Sequence, residues 1–417
     1  MAQIRPFNAI RYDFGRLNRD LSAVLAPPYD ILDQTDKDRL LAGSDRNVVK
    51  LDLPHVPPAD EGPAEAYQRS ADDLRAWLTD GTLIREAEPV LFAYHQAFDY
   101  AGKELVRRSL IVAVELHPFE DRVVLPHEHT FGGPKADRLA LMKATRCTLS
   151  PILGLFVDPE DRVGRALADV VRAKPDATGT LDGVENRVWR IADKSVIGAV
   201  QEAMAGKLIY IADGHHRYGT ALNYRDELTA ELGRDLAPDH PARFCLFVLA
   251  SMDDSGCLVL PTHRVFTDSA ITARGLVDAW SAGCNSCPSA AADIRVYDGR
   301  TGETVSLAFS NRSRLAELEP ELSEAWCGLD LAYLHRYLID ELLTVNVLNG
   351  KSLTITYPKS DGQARELADS TPAVAVFVKA TPMEHLRAVC EAGDLMPHKS
   401  TYFFPKLATG LAFKPLE

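Results

Sequence analysis

The sequence is poor in the features of exported and membrane proteins. It contains no unbroken apolar run near the roughly 18 residues of a membrane-spanning helix. The N-terminal stretch MAQIRPFNAIRYDF has no apolar signal core, so export is not expected. Seven cysteines are scattered along 417 residues, and only Cys284 and Cys287 form a C-x-x-C pair. We therefore expect a cytoplasmic protein with reduced cysteines and no membrane partner.

Basic runs and the signatures of several common enzyme classes are also missing. The net charge is −13, and no stretch dense in Lys and Arg supplies the basic face that nucleic acid requires. The patterns G-x-S-x-G, H-E-x-x-H, G-x-G-x-x-G and G-x-x-x-x-G-K-[ST] do not occur. These absences argue against a nucleic-acid partner. They also leave serine hydrolases, zinc metalloproteases, Rossmann enzymes and P-loop kinases without their usual sequence support.

The apolar pattern predicts strands and helices that do not alternate strictly, which indicates an α+β or mixed-sheet fold. The stretch AEAYQRSADDLRAWLTDG predicts a helix that is stopped by Gly81. PVLFAYHQAF and ELVRRSLIVAVEL, joined by DYAGK, predict an antiparallel hairpin. We divide the chain into residues 1–118 with the hairpin, a central region of residues 119–266, and a C-terminal α/β region of residues 267–417.

The strongest local signal for function is the stretch KLIYIADGHHRYGTAL, residues 207–222. Its first part predicts a buried strand, and Asp213 is the predicted N-cap of the helix that follows. Unpaired N–H groups and the helix dipole make such a turn attractive to an anion. The residues expected to hold the anion are Gly214, His215, His216 and Arg217. The alternative is a tight turn whose polar side chains are only solvated.

A second polar stretch, LPHEHTFGGPKADR, allows three interpretations. His127 and His129 could bind a metal, because alternate residues of extended backbone point to the same side. Lys135 and Arg138 could instead hold phosphates while Glu128 acts as a base. The third interpretation is a surface loop, followed by a short helix, in which the charges have no special purpose.

Basic and acidic candidates also occur in three shorter stretches. Lys399 and Lys406 belong to MPHKSTYFFPKLATG, where they are candidates for binding phosphate or carboxylate. Arg264 of LPTHR follows an apolar strand and is a similar candidate. APPYDIL, in which two prolines forbid a helix, could present Asp30 from a stiff turn. A purely structural role is the alternative at each position.

Five of these phrases together resemble one family. LAPPYDIL, PHEHTFGGPKADRL, YIADGHHRYGTAL, LPTHR and MPHKSTYFFPK resemble domain-of-unknown-function family 1015 of bacteria and archaea, over nearly the whole chain. The family name implies no activity. ADGHHRYGTAL is also similar to the DGxHR box of the ParB/sulfiredoxin-like superfamily. That resemblance implies an α+β protein with a ParB/sulfiredoxin-like core, extended by N- and C-terminal α/β regions.

In that superfamily the box binds nucleotide phosphates, and its members include CTP-binding partition proteins, sulfiredoxin and serine kinases that use ADP or ATP. The resemblance implies that residues 214–217 contact phosphates and that Asp213 lies beside the reacting hydroxyl or a metal. Ala212 stands where a sulfiredoxin would need its cysteine, and no helix-turn-helix with a basic region is evident. Small-molecule phosphotransfer is the activity that remains.

We therefore expect a kinase that transfers a phosphoryl group from ATP or ADP to a small hydroxylated metabolite such as serine, with Mg²⁺ bridging the phosphates. Asp213, Glu128 or Asp30 would accept the hydroxyl proton, and Asp213 is the expected metal ligand. Outside the box, the expected cationic shell consists of Lys135, Arg138, Arg264, Lys399 and Lys406.

Two alternatives from other classes stay open, and the sequence leaves the oligomeric state undefined. One is a metal-dependent hydrolase, whose ligands would come from His127, His129, His215, His216 and Asp213. The other is a regulator that binds nucleotide without turnover.

Overall fold

The computed structural model describes residues 2–58, 61–128, 132–267, 271–284, 293–309, 313–345, 348, 350–351 and 353–417. The chain divides into two compact units. Unit 1 consists of Met1–Leu258 and Pro405–Glu417, and unit 2 of Val259–Phe404. Helices and a large mixed sheet make this an α+β protein, as the sequence predicts. Strands from both sides of the predicted boundary at residue 118 join one sheet of unit 1.

The strands are, in chain order, β1 Ile4–Arg5, β2 Ile10–Tyr12, β3 Leu83–Arg85, β4 Leu91–Tyr100, β5 Lys103–Glu115, β6 Val124–Leu125, β7 Cys147–Thr148, β8 Ile152–Phe156, β9 Ala177–Leu181, β10 Val184–Ile191, β11 Ile209–Asp213, β12 Phe244–Ser251, β13 Leu258–Leu260, β14 Arg264–Phe266, β15 Ile294–Asp298, β16 Thr304–Leu307, β17 Ile355–Thr356, β18 Val374–Val378, β19 Tyr402–Phe404 and β20 Lys414–Pro415.

The α-helices are α1 Gln34–Gly43, α2 Val49–Asp52, α3 Ala64–Thr79, α4 Gly132–Thr145, α5 Arg162–Arg172, α6 Lys194–Met204, α7 His215–Leu232, α8 Ala273–Cys284, α9 Ser313–Leu318, α10 Glu324–Cys327, α11 Asp330–Ala332, α12 Asp361–Ser370 and α13 Met383–Ala392. Single 3₁₀ turns lie at Tyr29–Ile31, Phe119–Asp121 and Pro241–Arg243, and a π-helical segment spans Tyr333–Thr344. None of the helices in the described ranges is both long enough and apolar enough to cross a membrane.

Unit 1 is built on a nine-stranded sheet with the order β6-β11-β8-β12-β5-β4-β10-β9, in which β1 also pairs with β5. The predicted hairpin is confirmed, because β4 and β5 pair in antiparallel register from Phe92↔Ile111 to Tyr100↔Lys103. The β11–β6 and β12–β8 pairs are parallel. β8 and β12 are apolar and buried along nearly their whole length, as strands covered on both faces must be.

The two faces of this sheet have different neighbours. On one face, Leu110, Ile211 and Phe247 belong to the main apolar core of the unit, which also includes side chains of α5, α6 and α7. We call this the core face. Residues at the alternate positions, such as Arg107 on β5 and Gln96 on β4, lie on the opposite face, which we call the second face.

A β-bulge transfers the end of β11 from one face to the other. Ile211 lies opposite Gly154 of β8, but Asp213 lies opposite Leu153, so the register shifts between them. Directly opposed residues of an antiparallel pair share a face. Leu153 is adjacent to Ile152 of the core face, so the bulge places Asp213 on the second face. Strict alternation would have left this carboxylate among apolar side chains.

Unit 2 contains a five-stranded sheet with the order β16-β15-β18-β14-β17. Its pairs β14–β17, β14–β18, β15–β16 and β15–β18 are all antiparallel. A small apolar core between the sheet and α12 includes Val265, Ala364, Ala368 and Phe377. This unit carries Arg264 and Lys399, two of the predicted binding residues.

Candidate functional site

The parallel pairing of β6 with β11 brings the two most polar stretches of unit 1 together. Ile209 lies opposite Val124, and Tyr210 lies opposite Leu125. Both strands therefore end on the same side of the sheet, where Asp213 is the last residue of β11 and His127 follows β6. The contact continues beyond the strands, because the Nδ1–H of His127 donates to the carbonyl oxygen of Ile211 at 2.7 Å. Glu128 is thereby held beside the start of α7.

The turn between β11 and α7 differs from the prediction in one detail. Gly214, and not Asp213, is the N-cap of α7, and Asp213 is the last residue of the strand. The reason is conformational, since the cap residue has φ 101° and ψ 28°, which glycine adopts without the strain that a Cβ causes. Among the described residues, no side-chain hydrogen bond caps this helix. The positive end of a helix attracts anions.

Two buried histidines hold the turn against the β6 strand. The rings of His127 and His215 meet edge to face, with centroids 4.6 Å apart. The main-chain N–H of His127 donates to Nε2 of His215 at 3.2 Å, which requires the proton of a neutral His215 ring to be on Nδ1. Burial, followed by the neighbouring His127, lowers the pKa of His215 to about 3. Burial also lowers the pKa of His127. Both rings are neutral positioning groups at pH 7.

Asp213 forms the ionic centre of the turn. Its Oδ2 accepts from Lys406 Nζ at 2.5 Å, and its Oδ1 lies 3.2 Å from Arg217 Nη2. Burial opposes ionisation of this carboxyl, but the two cations outweigh it and hold its pKa below the usual range. Lys406 comes from the segment that crosses the second face, where Gln96 Nε2 donates to its carbonyl oxygen at 3.0 Å.

Four charged residues surround the half-buried His216. The charges that act on its ring come from Glu128, Lys135, Asp30 and Arg217, while burial lowers its pKa. Asp30 is exposed on the single 3₁₀ turn Tyr29–Ile31, and Glu128 is half-buried. Residues predicted from four separate sequence stretches thus meet at one place. We call this group the corner site, and it consists of Asp30, Glu128, Lys135, Asp213, Gly214, His215, His216, Arg217 and Lys406.

Lys135 lies across the first turns of α7. A Cβ built on Gly219 would come within 3.0 Å of Lys135 Cε and 3.2 Å of its Nζ, so the lysine lies directly against the helix. Among the described residues, no carboxylate lies within 4.0 Å of its ammonium group. Lys135 is therefore a cation of the corner site whose charge no described side chain neutralises by an ion pair.

Arg138 has a different environment, because α4 begins at Gly132, inside the stretch that the sequence predicts to be a loop. Its buried guanidinium donates to Asp137 Oδ2 at 2.7 Å and to the carbonyl oxygen of Asp52 at 2.6 Å. The Tyr29 ring covers it at 3.9 Å. We therefore assign Arg138 to positioning and not to phosphate binding. The sequence indicates that Asp137 could pair with Arg138, because the two residues are adjacent, but it gives no indication of the contact with Asp52.

Two further predicted residues belong to unit 2. Arg264 is buried in unit 2, where it donates to Nε2 of His335 at 3.1 Å and to the carbonyl oxygen of Lys399 at 3.1 Å. Lys399 is exposed in the same unit. His129 and Cys287 lie outside the described residues.

A family model described as "Protein of unknown function (DUF1015)" matches residues 4–332. The chain belongs to this family. The similarity covers both polar stretches of the corner site, and it carries no statement of activity. No curated protein matches the sequence.

Several solved structures resemble the DUF1015 chain. A mutant of free serine kinase in complex with ADP is 12% identical, covers 71% of this chain and 87% of its own, and has a TM-score of 0.35. A conserved hypothetical protein from Pyrococcus furiosus is 10% identical and covers 73% and 94%, with a TM-score of 0.34. C-terminally truncated SbnI from Staphylococcus aureus is 11% identical and covers 73% and 87%, with a TM-score of 0.35. At these TM-scores, the assignment of function rests on the geometry of this chain.

The metal-binding expectations for this DUF1015 protein find little support at Asp213. Both of its carboxylate oxygens already contact cations, so a Mg²⁺ ion would have to displace Lys406 or Arg217. Nε2 of His215 is also occupied, by the N–H of His127. Within the described part of the chain, no group of three His, Cys, Asp or Glu side chains has the arrangement of a metal site. The residues around Asp213 therefore do not fit a bound Mg²⁺ ion.

The backbone of Gly214 provides a prediction for this site. Gly214→Ala is expected to destabilise the protein by about 1–2 kcal/mol, because an L-residue is strained at positive φ. The added Cβ would also lie 3.0 Å from Arg217 Nε and displace that guanidinium. Gly233→Ala is the matched control, since Gly233 has φ 63° and no atom within 4 Å of its added Cβ. Urea denaturation should show a larger loss for Gly214→Ala. An equal or smaller loss would contradict the close approach described for this turn.

Proposed function

We propose that this protein transfers a phosphoryl group from ATP or ADP to the hydroxyl group of a small metabolite, with serine as the leading acceptor. One observation carries the proposal. The charges of Glu128, Lys135, Asp30 and Arg217 act on His216 at the start of α7, and Lys135 lies against that helix. Phosphoryl transfer depends mainly on positioning the reactants and on neutralising the charge of the phosphates. This group combines cationic donors with one exposed and one half-buried carboxylate.

The nucleotide phosphates would bind at the start of α7. Backbone N–H groups and the helix dipole favour an anion there, and Gly214 offers no side chain that would block its approach. Lys135 supplies a charge that no described carboxylate neutralises, and His216 supplies a ring donor. Arg217 is buried, and its guanidinium contacts Asp213 and the carbonyl oxygen of Pro151. It would therefore contribute positive electrostatic potential from the protein interior.

The proton of the acceptor hydroxyl would pass to Glu128 or Asp30. In this step, the hydroxyl oxygen forms a bond to the terminal phosphorus and the bond from phosphorus to the bridging oxygen of the nucleotide breaks. ATP would leave ADP, and ADP would leave AMP. Asp213 is unsuited to the role of base, because Lys406 and Arg217 hold its pKa below the usual range. We assign it the positioning of these two cations, and no step passes through a metal at Asp213.

Nucleotide binding tests the first half of the proposal. Isothermal titration calorimetry with the Mg²⁺ salts of ADP and ATP is expected to show binding to the full chain. Lys135→Met should weaken it about tenfold or more, the usual effect of losing a charged hydrogen bond. Lys143→Met is the matched control on the same helix, since Lys143 is about half exposed and paired with Glu227. No binding of either nucleotide, or equal binding by both variants, would overturn the proposed site.

Turnover distinguishes the kinase from its two alternatives. Incubation with nucleotide and a panel of hydroxylated amino acids should produce a phosphorylated acceptor and one equivalent of shortened nucleotide. Binding without any product would instead identify a nucleotide-binding regulator. Hydrolysis of a substrate that requires a bound transition metal would identify the hydrolase.

A further inference from the structure

A cavity of about 340 Å³ lies in unit 1, and none of its lining residues belongs to the corner site. It is formed where β1, the start of β12 and β20 come together. Arg5 lies opposite Ala113 of β5, Phe244 begins β12, and Lys414 is in β20. The volume is within the range of small-molecule sites in proteins.

Three cations line this cavity in a chain whose net charge is −13. Arg5 Nη1 is 3.5 Å from the carbonyl oxygen of Pro238, and Arg85 Nη2 donates to the main-chain oxygen of Glu417 at 2.8 Å. Among the described residues, Arg5 and Lys414 have no Asp or Glu side chain within ion-pairing distance. Two acidic residues, Asp239 and Glu417, also line the cavity. Arg85 faces Glu417, so Arg5 and Lys414 are the two cations of this wall that no described acidic side chain neutralises.

Lys414 is the most unusual of the three cations, because only 2% of its surface is exposed. Its Nζ donates to the carbonyl oxygens of Pro241 at 2.7 Å and Pro415 at 3.2 Å. An ammonium group has three N–H donors, so one remains for an occupant of the cavity. Burial lowers the pKa of Lys414 to about 8, and the thiols of Cys245 and Cys147 partly oppose this shift. A buried cation without an anion is costly, and a bound anion would offset that cost.

The rest of the wall is apolar and stiff. Phe7 and Phe244 line it, and the Arg5 guanidinium is already held over the Phe244 ring at 4.7 Å. Pro6, Pro89, Pro241 and Pro415 also line the cavity, which limits its freedom to collapse. An occupant that satisfies both parts of the wall needs a charged end and an apolar body.

We propose that this cavity binds a small organic oxyanion, a carboxylate or a phosphate monoester, whose charged end lies at Lys414 and Arg5 and whose body packs against Phe7 and Phe244. The site is separate from the proposed nucleotide site, and it does not depend on the activity assigned there.

Calorimetry on the full chain at low ionic strength tests this proposal with phenyl phosphate, benzoate and the neutral benzyl alcohol as probes. We expect at least one of the two anions to bind and the alcohol not to bind, and the preferred anion identifies the class of head group. Lys414→Met should weaken this binding at least fivefold. This variant is expected to fold, because it removes a buried cation without leaving a carboxylate unpaired.

Arg5→Gln is the second variant, and it should also weaken binding of the anion at least fivefold. Lys103→Met, at an exposed position of the β4–β5 hairpin, controls for the loss of one positive charge. Lys135→Met controls for phenyl phosphate that enters the corner site, and it should leave this binding unchanged. A change of fivefold or more in either cavity variant supports the proposal. No binding of either anion, or smaller changes in both cavity variants, overturns it whether or not the protein is a kinase.

Discussion

Replacing Asp213 with asparagine is expected to destabilise the protein by about 3–5 kcal/mol, the usual cost of removing one partner from a buried ionic cluster. Only 19% of the Asp213 side chain is exposed, and it is the shared partner of Lys406 and Arg217. An asparagine would leave both cations uncompensated. Urea denaturation at pH 7, followed by tryptophan fluorescence, measures the change. Asp169→Asn is the control, because the Asp169–Arg172 pair is exposed and should contribute less than about 1 kcal/mol.

The same substitution should alter the dependence of stability on acid pH. The folded pKa of Asp213 is below its unfolded value of about 3.9, so the unfolded state binds the proton more readily. The contribution of Asp213 is therefore complete above that unfolded value and is lost as the pH falls through the folded pKa. Asp213→Asn should lower stability at pH 7 and flatten this acid limb. A loss below about 1 kcal/mol at pH 7 would contradict the buried ionic cluster.

Glu128→Gln or Asp30→Asn is expected to reduce the rate of phosphoryl transfer by about 10²–10⁴-fold, the contribution of a general base. The two carboxylates both act on His216, and only one of them would accept the proton. The substitution that removes the base should lower kcat and leave the dissociation constant of the nucleotide within about threefold, because the phosphates are held by other groups. Transfer is measured under single-turnover conditions, where product release does not limit the rate.

Glu120→Gln is the matched control for this pair, since Glu120 is an exposed carboxylate on the 3₁₀ turn before β6. It should leave kcat unchanged. If neither Glu128→Gln nor Asp30→Asn lowered kcat more than tenfold, the base would not be one of these carboxylates. If one substitution abolished nucleotide binding and kcat together, that residue would belong to the binding surface.

Local features of the corner site could be predicted because they depend on neighbouring residues. The apolar run before Asp213, the glycine after it and the helical spacing beyond it are enough to specify a strand, a turn and a helix. The hairpin of β4 and β5 has the same origin, since its two apolar runs are joined by a short link. Even there, the cap was predicted one residue too early, because Asp213 is a good capping residue but Gly214 better accommodates the positive φ.

Roles that depend on distant partners could not be predicted. Arg138 and Lys135 are three residues apart on one helix, yet Arg138 is neutralised by Asp137 and contacts the carbonyl of Asp52, a residue 86 positions away. Lys135 meets no such carboxylate among the described residues. No local pattern separates two cations of this kind. The burial of Lys414 beside a cavity could not be predicted for the same reason. The walls of that cavity come from residues near both ends of the sequence.

The sequence by itself determined the membership of the family, the α+β composition and the strand–glycine–helix turn at which we propose that an anion binds. These follow from local order, apolar spacing and the conformational freedom of one glycine. Only the tertiary structure decided how that turn is charged. A bulge in β11 moves Asp213 to the second face, where it meets Lys406 from 193 residues farther along the chain. Charges of either sign are common along this sequence, and folding selects which of them remain paired.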